Sequence, residues 1–502
     1  QNTMYSLRPG TQAIDRFIPD TRGGGRAGGG RFGGRGGRGG RGAAQPEAQP
    51  AVETNPEPVN YPYLLPGEDP ASFSFFEAAS IRKIGNKYVW IYSGRSGSEY
   101  GIGGATATLR YAYGDSPLGP WKSGGVLVDA RSVVPTQDGT ALQTTFSGHN
   151  THGSIEFMND QYYVFYHRAP RGFGNARQPM VAPVNIVNDD KAVSEGGKIT
   201  ITGYDPYAED HIWTAKSQEF EYTGAEVTSE GFNIYGLNPY LYYSAGYACY
   251  LSNQQLIQDS WDNWDNNMPL ANVQNGNIIG YKYFGFGGLD KDKKGLKAFA
   301  GTRPGNNTKF NLFLTPKTTD SFKINVWLDG PWDNETWNGK KIGVIDVPAN
   351  AAQEITKFAI NVSSAVDNLG EKHAIFLVAE GSGSGGLCDI IGLGFSSDKK
   401  PIVRSPIPPT VSIMVNGEAI ELPDTSVRST NANGITDVTL YQVAYTVPAD
   451  VTEVPQVSAS VSASAGDRKV KADITQAESK DGTAVVKFDY NGLVKTYNVV
   501  FR

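Results

Sequence analysis

From Phe73 onward the chain is made of short alternating runs separated by turn residues, and this period-two pattern restricts it to an all-β fold. The stretch FSFFEAASIRKIGNKYVWIYS, Phe73 to Ser93, sets the pattern. Ile81 to Ile84 alternates apolar and basic, Gly85-Asn86 signals a turn, and Tyr88 to Tyr92 reads as an aromatic strand. Glu77 then stands near a strand end, directly behind Phe75 and Phe76. Apolar surroundings disfavour an ionised carboxylate and raise its pKa. A carboxyl that keeps its proton suits a general acid for glycosidic cleavage. A half-exposed glutamate at a strand edge is the simpler reading of the same residues.

The organisation repeats in GHNTHGSIEFMNDQYYVFYHR, Gly148 to Arg168: polar residues, a strand, an Asn159-Asp160 turn, an aromatic strand. The spacing of the two copies suits propeller blades with long loops. Between them, RYAYGDSPLGPW, Arg110 to Trp121, gives a strand and a sharp turn. ARQPMVAPVNI, Ala176 to Ile186, and GKITIT, Gly197 to Thr202, supply further strands. His149 and His152 lie in a Gly-flanked loop, where capping of strands and ligand contact are both open. His167 ends an aromatic strand and reads as structural.

Composition narrows the function. A length of 502 residues predicts two to four domains at about 150 residues each. A net charge of -6 argues against nucleic acid or anionic membrane as the main partner. The 26 Tyr and 8 Trp suit a protein that stacks rings on sugars. With 2 Cys, Cys249 and Cys388, neither a disulfide scaffold nor a Cys-based zinc site is available, while one bridge or two free thiols both remain open. No apolar run is long enough to span a membrane as a helix. Thr21 to Ala44 is Gly/Arg-rich and cannot build a core, and residues up to Pro70 continue as a Pro/Glu/Ala linker, so about 21–70 reads as a disordered insertion. It carries almost no aromatics, which disfavours RNA binding.

FFEAASIRKIGNKYVWIYS, YAYGDSPLGPW, GHNTHGSIEFMNDQYYVFYHR and ARQPMVAPVNI, in this order, resemble glycoside hydrolase family 43. The resemblance implies a five-bladed β-propeller with inverting chemistry on arabinosides, xylosides and related furanosides, covering residues 1–204. By this resemblance Glu77 matches the general acid, with Phe76 beside it. Arg177 matches the arginine that contacts sugar hydroxyls, and His152 the histidine that holds a central-channel calcium or sodium ion through water. His149 is a further substrate-binding candidate. The family's general base and its pKa-tuning partner are aspartates in blades before the glutamate. Asp15 and Asp20 do not match that motif. The chain therefore reads as beginning inside the propeller, its N-terminal blades missing, with the base outside it and a missing N-terminal segment completing the wheel.

After a polar connector, 205–223, the runs of residues 224–400 read as a β-sandwich. They resemble a family 6 carbohydrate-binding module, with Glu226 and Asp389 matching the ligands of a structural calcium, a hard ion that carboxylates suit. Trp261, Trp264, Trp332 and Trp337 are candidate sugar platforms or core residues. Residues 405–502 alternate with period two and read as an immunoglobulin-like sandwich. They resemble the accessory Ig-like domains of secreted Bacteroidetes glycosidases. Taken together, the chain reads as part of a secreted, periplasmic or cell-surface bacterial glycosidase that releases terminal arabinofuranosyl, xylosyl or galactofuranosyl units from plant polysaccharides. No cofactor is needed for that chemistry. The alternative is a non-catalytic glycan-binding protein on a truncated propeller.

Overall fold

A computed structural model describes residues 62–146, 148–169, 177–253, 268–286, 307–382, 385–398, 409–424, 427, 440–462, 470–490 and 493–502. The Gly/Arg segment, Asp15, Asp20, Trp261 and Trp264 lie outside these residues. The first unit contains two four-stranded antiparallel meanders. One is β1 (Phe75–Ile84), β2 (Lys87–Ser96), β3 (Ala105–Gly114) and β4 (Trp121–Asp129). A small pair follows, β5 (Val133–Pro135) and β6 (Leu142–Thr144). The second meander is β7 (Gly153–Met158), β8 (Gln161–Arg168), β9 (Gln178–Asn188) and β10 (Ile199–Gly203).

Both opening hairpins close as the sequence dictates. Ile84 pairs with Lys87 across Gly85-Asn86, and Gly85 takes a left-handed φ of 60° at the first central position. Met158 pairs with Gln161 across Asn159-Asp160, whose φ values of 51° and 61° are those of a type I′ turn, which favours Asn and Asp. The alternate residues of the two meanders form one shared core, including Val89, Ile91, Leu109, Val128, Ile155, Val164, Met180 and Ile201. The innermost strands meet directly: the Ser80 and Ser154 hydroxyls are 2.8 Å apart. At the other end of β2, fully buried Lys87 donates to the Asn188 and Asp189 side chains at 2.8 and 3.0 Å.

The connector is packed onto this unit. β11 (Ala215–Lys216) pairs with β12 (Glu221–Tyr222), and Ala225 and Val227 bury in the shared core. A buried polar network holds it. Asp129, with no exposed surface, accepts from Tyr100 Oη at 2.6 Å and from Arg131 Nε and Nη2 at 2.9 and 2.7 Å. Its backbone N–H donates to Tyr222 Oη at 2.7 Å.

The second unit is a sandwich of two five-stranded sheets. One sheet contains Tyr243–Ser244, Leu270–Val273, Lys309–Pro316, Thr356–Asn361 and Cys388–Ser396. The other contains Tyr250–Leu251, Ile278–Gly285, Phe322–Leu328, Lys340–Val347 and Lys372–Gly381. Their inner faces build an aromatic core around Tyr281, Phe284, Phe310 and Phe395. The third unit has a three-stranded and a four-stranded sheet, with Leu440–Tyr445 running parallel to Leu493–Phe501. Cys249 and Cys388 are buried free thiols in different cores, Cys249 with the meanders and Cys388 inside the sandwich. Among the described residues no helix is long and apolar enough to cross a membrane.

Replacing Asp129 by Ala leaves the Arg131 guanidinium buried and uncompensated. The expected loss is about 3–5 kcal/mol of stability, read as a lower urea midpoint. A loss below 1 kcal/mol would show that the network does not fasten the connector.

Candidate functional site

Glu77 sits at the start of β1, where the strand is irregular. The register with β2 shifts on both sides of Glu77, and Ala78 takes a left-handed φ of 52°. This distortion re-aims the side chain, as bulges commonly do beside functional sites. The loop leading into β7 approaches from the other meander. Gly153 permits its entry, because a Cβ there would lie 2.1 Å from the Phe165 carbonyl oxygen.

The loop is extended, so alternate residues share a side. Asn150 and His152 face Glu77. Asn150 Nδ2 donates to Glu77 Oε1 at 2.7 Å, and His152 Nε2 lies 2.9 Å from the same oxygen. Thr151 points the other way, is fully buried, and its hydroxyl donates to the His167 carbonyl at 2.6 Å. His149 is half-buried on the same loop.

Behind His152 stands His167 on β8, its ring edge-on at 5.3 Å between centroids. His167 Nε2 accepts from the His152 backbone N–H at 3.1 Å and from Arg177 Nη1 at 3.0 Å. Arg177 Nη1 also lies 3.4 Å from His152 Nδ1. These contacts agree on tautomers: His152 carries its hydrogen on Nε2 and donates to the carboxylate, and His167 carries its hydrogen on Nδ1. That Nδ1 is buried without a partner among the described residues. The result is a chain of donors running from Arg177 through His152 to Glu77.

Both side-chain hydrogen bonds to Glu77 fall on Oε1. Oε2 has none among the described residues and is the oxygen left for a ligand. Burial pushes the carboxyl pKa up, but the hydrogen bonds from Asn150 and His152 and the charges of His152 and Arg177 outweigh it, so the net shift is downward. The sequence reading expected the reverse, from enclosure by rings. The rings lie elsewhere: Phe75 packs 5.6 Å from both Trp90 and Tyr92, and exposed Phe76 has the Arg95 guanidinium 5.5 Å from its ring centre. The Glu77 side chain keeps 41% of its surface exposed and meets polar groups.

The structure thus brings together Glu77, His152 and Arg177 and adds Asn150 and His167. Asn150 was legible only as the residue two before His152. His167 was read as structural because nothing in a strand-terminal histidine reveals which neighbouring strand it will face.

The ion-binding expectations are not supported by the geometry. Both ring nitrogens of His152 lie within hydrogen-bonding distance of protein groups, Glu77 and Arg177. Glu226 and Asp389 are not brought together. Glu226 pairs with Lys282 Nζ at 2.9 Å, Asp389 with Lys317 Nζ at 2.9 Å, and they border different cavities. No group of three His, Cys, Asp or Glu that could hold a metal occurs among the described residues. Trp332 and Trp337 pack against each other at 5.4 Å on the outer face of one sandwich sheet, half-buried.

No protein-family model matches the chain. It is 26% identical over 316 residues to a xylosidase/arabinosidase of Thermoclostridium stercorarium, covering 62% of this chain and 55% of that protein. It is 34% identical over 103 residues to a beta-xylosidase of Xylanibacter ruminicola, covering 20% of this chain and 24% of that one. The chain thus spans about half the length, or less, of these relatives. Among solved structures it is similar to a glycoside hydrolase family 43 arabinoxylan arabinofuranohydrolase from Bacillus subtilis, at 20% identity and a TM-score of 0.31, covering 64% and 54% of the two chains. A likeness at that TM-score adds no weight. Both relatives carry the names of glycosidases.

His167 offers a test of the cluster. Burial, then the charges of Arg177 and His152, lower its pKa from the usual 6.5 to about 4. The unfolded chain therefore binds this proton first, and the folded state loses stability as pH falls from about 6.5 to about 4. Glu77, with its lowered pKa, adds to the loss further into acid. His167→Gln should flatten the decline of Tm across the first window. An unchanged slope would show that the ring is not held neutral by this cluster.

Proposed function

We propose that the chain is part of an inverting glycosidase of the family 43 type, with Glu77 as proton donor to the leaving sugar oxygen. The two meanders are blades of its propeller. The substrate class is a terminal arabinofuranosyl or xylosyl unit, after the names of the relatives. The observation that carries the reading is the convergence of Asn150 and His152, from the β7 loop, onto one carboxylate oxygen of Glu77, with Arg177, just before β9, set against His152 and with Oε2 left for the sugar. Arg177, a planar exposed fork at its rim, suits vicinal hydroxyls.

An inverting reaction also needs a carboxylate across the sugar, about 6.5–9.5 Å from the acid, to activate water. No carboxylate is among the main influences on Glu77, and in this reading the base is an aspartate outside the described residues. The downward shift of Glu77 is in keeping with this: like charge nearby would push its pKa up. It also favours a second reading, glycan binding without turnover, because an ionised carboxylate accepts hydroxyls but cannot donate a proton.

Two measurements separate the readings. The chain should hydrolyse aryl arabinofuranosides and xylosides slowly. Azide, a nucleophile that needs no base, should raise turnover of an activated glycoside by roughly 10²-fold, the lower end of what a general base contributes. Glu77→Gln should abolish turnover of an oligosaccharide, whose poor leaving group needs a proton, and leave sugar affinity intact; oligosaccharide turnover that survives this change would remove Glu77 from the mechanism. Because the carboxyl pKa is lowered, the protonated fraction grows as pH falls, so any turnover should rise from neutral toward acid pH. A rate that climbs toward alkaline pH would contradict a proton donor at this position.

A further inference from the structure

The connector and the sandwich enclose a second cavity of about 210 Å³, which shares no lining residue with the Glu77 cluster. Its walls are rings: Tyr204, Tyr207 and Trp213 from the connector, and Tyr283 from the sandwich. Tyr207 is 53% exposed. Three carboxylates line the cavity, Asp205, Glu226 and Glu230, and the last two form ion pairs. Glu226 accepts from Lys282 Nζ at 2.9 Å and from Tyr283 Oη at 2.8 and 2.9 Å. Glu230 accepts from Lys372 Nζ at 2.9 and 3.2 Å. Lys372 Nζ in turn stands 5.1 Å from the centre of the Tyr283 ring.

Charge decides what such a cavity can take. Glu226 and Glu230 each meet an ammonium group, so these two pairs are neutral, and half-buried Asp205 leaves one carboxylate over. A cation at either ion pair would have to displace a lysine, and an anion would face three carboxylates. A neutral ligand with many hydroxyls meets neither penalty. Each carboxylate still has acceptor capacity beyond the bonds it makes, and each lysine has further donors. Ring faces supply flat apolar surface against axial C–H groups. The cavity is below the ~300–1,000 Å³ of drug-sized pockets and admits a small ligand unit. It adjoins a groove of about 640 Å³ that shares Trp213, Glu226 and Tyr283 and runs past Trp337. Trp337 is fixed there by its Nε1–H, which donates to the Thr136 carbonyl at 3.2 Å.

We propose that this cleft between the connector and the sandwich is a binding site for a neutral oligosaccharide, with one sugar ring in the cavity between Tyr207, Trp213 and Tyr283 and the flanking sugars along the groove past Trp337. Glu226 and Glu230 receive sugar hydroxyls, and the lysines hold those carboxylates in place. The site is separate from Glu77 and does not depend on turnover there.

The test is isothermal titration of the full chain with xylohexaose, cellohexaose and arabinoxylan oligosaccharides. Tyr207→Ala, a substitution at an exposed ring, and Glu226→Gln should each weaken binding by roughly 10-fold, the equivalent of about 1.4 kcal/mol. Glu77→Gln should leave this binding unchanged. Circular dichroism and Tm of each variant report whether the fold is retained, and a xylohexaose-dependent change in Trp213 fluorescence, absent in Trp213→Phe, gives a second readout. Undiminished affinity in both Tyr207→Ala and Glu226→Gln would overturn the assignment. So would the absence of binding by any of the three ligands. Loss of all binding in Glu77→Gln alone would overturn it too, by placing all the sugar binding at Glu77.

Discussion

The apolar surface shared by the two meanders is what everything else rests on. Val89, Ile91 and Leu109 from one sheet and Ile155, Val164 and Met180 from the other are buried in a single core. Each sheet alone would expose one greasy face, and four twisted strands cannot cover themselves. Once the faces meet, β1 and β7 lie side by side, as the Ser80–Ser154 contact records. The starts of these two strands then converge, and a glutamate from one and a histidine loop from the other come within hydrogen-bonding distance. The site is a consequence of how two sheets bury their apolar sides.

Within that frame the chemistry of Glu77 is set by polar neighbours. Its carboxyl is half-buried, and desolvation alone would hold the proton on. Asn150, His152 and Arg177 act in the opposite sense and prevail. Reading a carboxylate beside two phenylalanines as a proton-holding group assumes that neighbours in sequence are neighbours in space. In a strand they are not. Phe75 and Phe76 turn to other surfaces, and the register shift between Phe75 and Glu77 breaks the alternation that would set them on one face.

The connector carries a second lesson. Tyr204 to Tyr222 reads as a polar aromatic linker, yet Tyr222 reaches buried Asp129, and Ala225 and Val227 enter the core. Tyr204, Tyr207 and Trp213 line a cleft with the sandwich. Lys282 and Lys372, from two strands of one sandwich sheet, neutralise Glu226 and Glu230 from the connector side. Such pairs link residues far apart in sequence, Lys372 and Glu230 among them, so no local pattern could have announced them. The same distance defeats the expectation that Glu226 and Asp389 share an ion: each carboxylate found a lysine instead.

The sequence by itself determined the strands and their turns. Gly85-Asn86 and Asn159-Asp160 specify tight hairpins through the backbone angles that Gly, Asn and Asp tolerate, and period-two alternation marks which side chains are buried. It also singled out Glu77, His152 and Arg177, through their order along recognisable strand–turn–strand text. Only the tertiary structure decided what these residues do to one another: the partners of the carboxylate, the tautomers of His152 and His167, and the free thiols of Cys249 and Cys388 in separate cores. The reason is range. Turn geometry and alternation act over two to four residues, whereas the pKa of a carboxyl and the occupancy of a ring nitrogen are fixed by groups that reach the same few ångströms from distant parts of the chain.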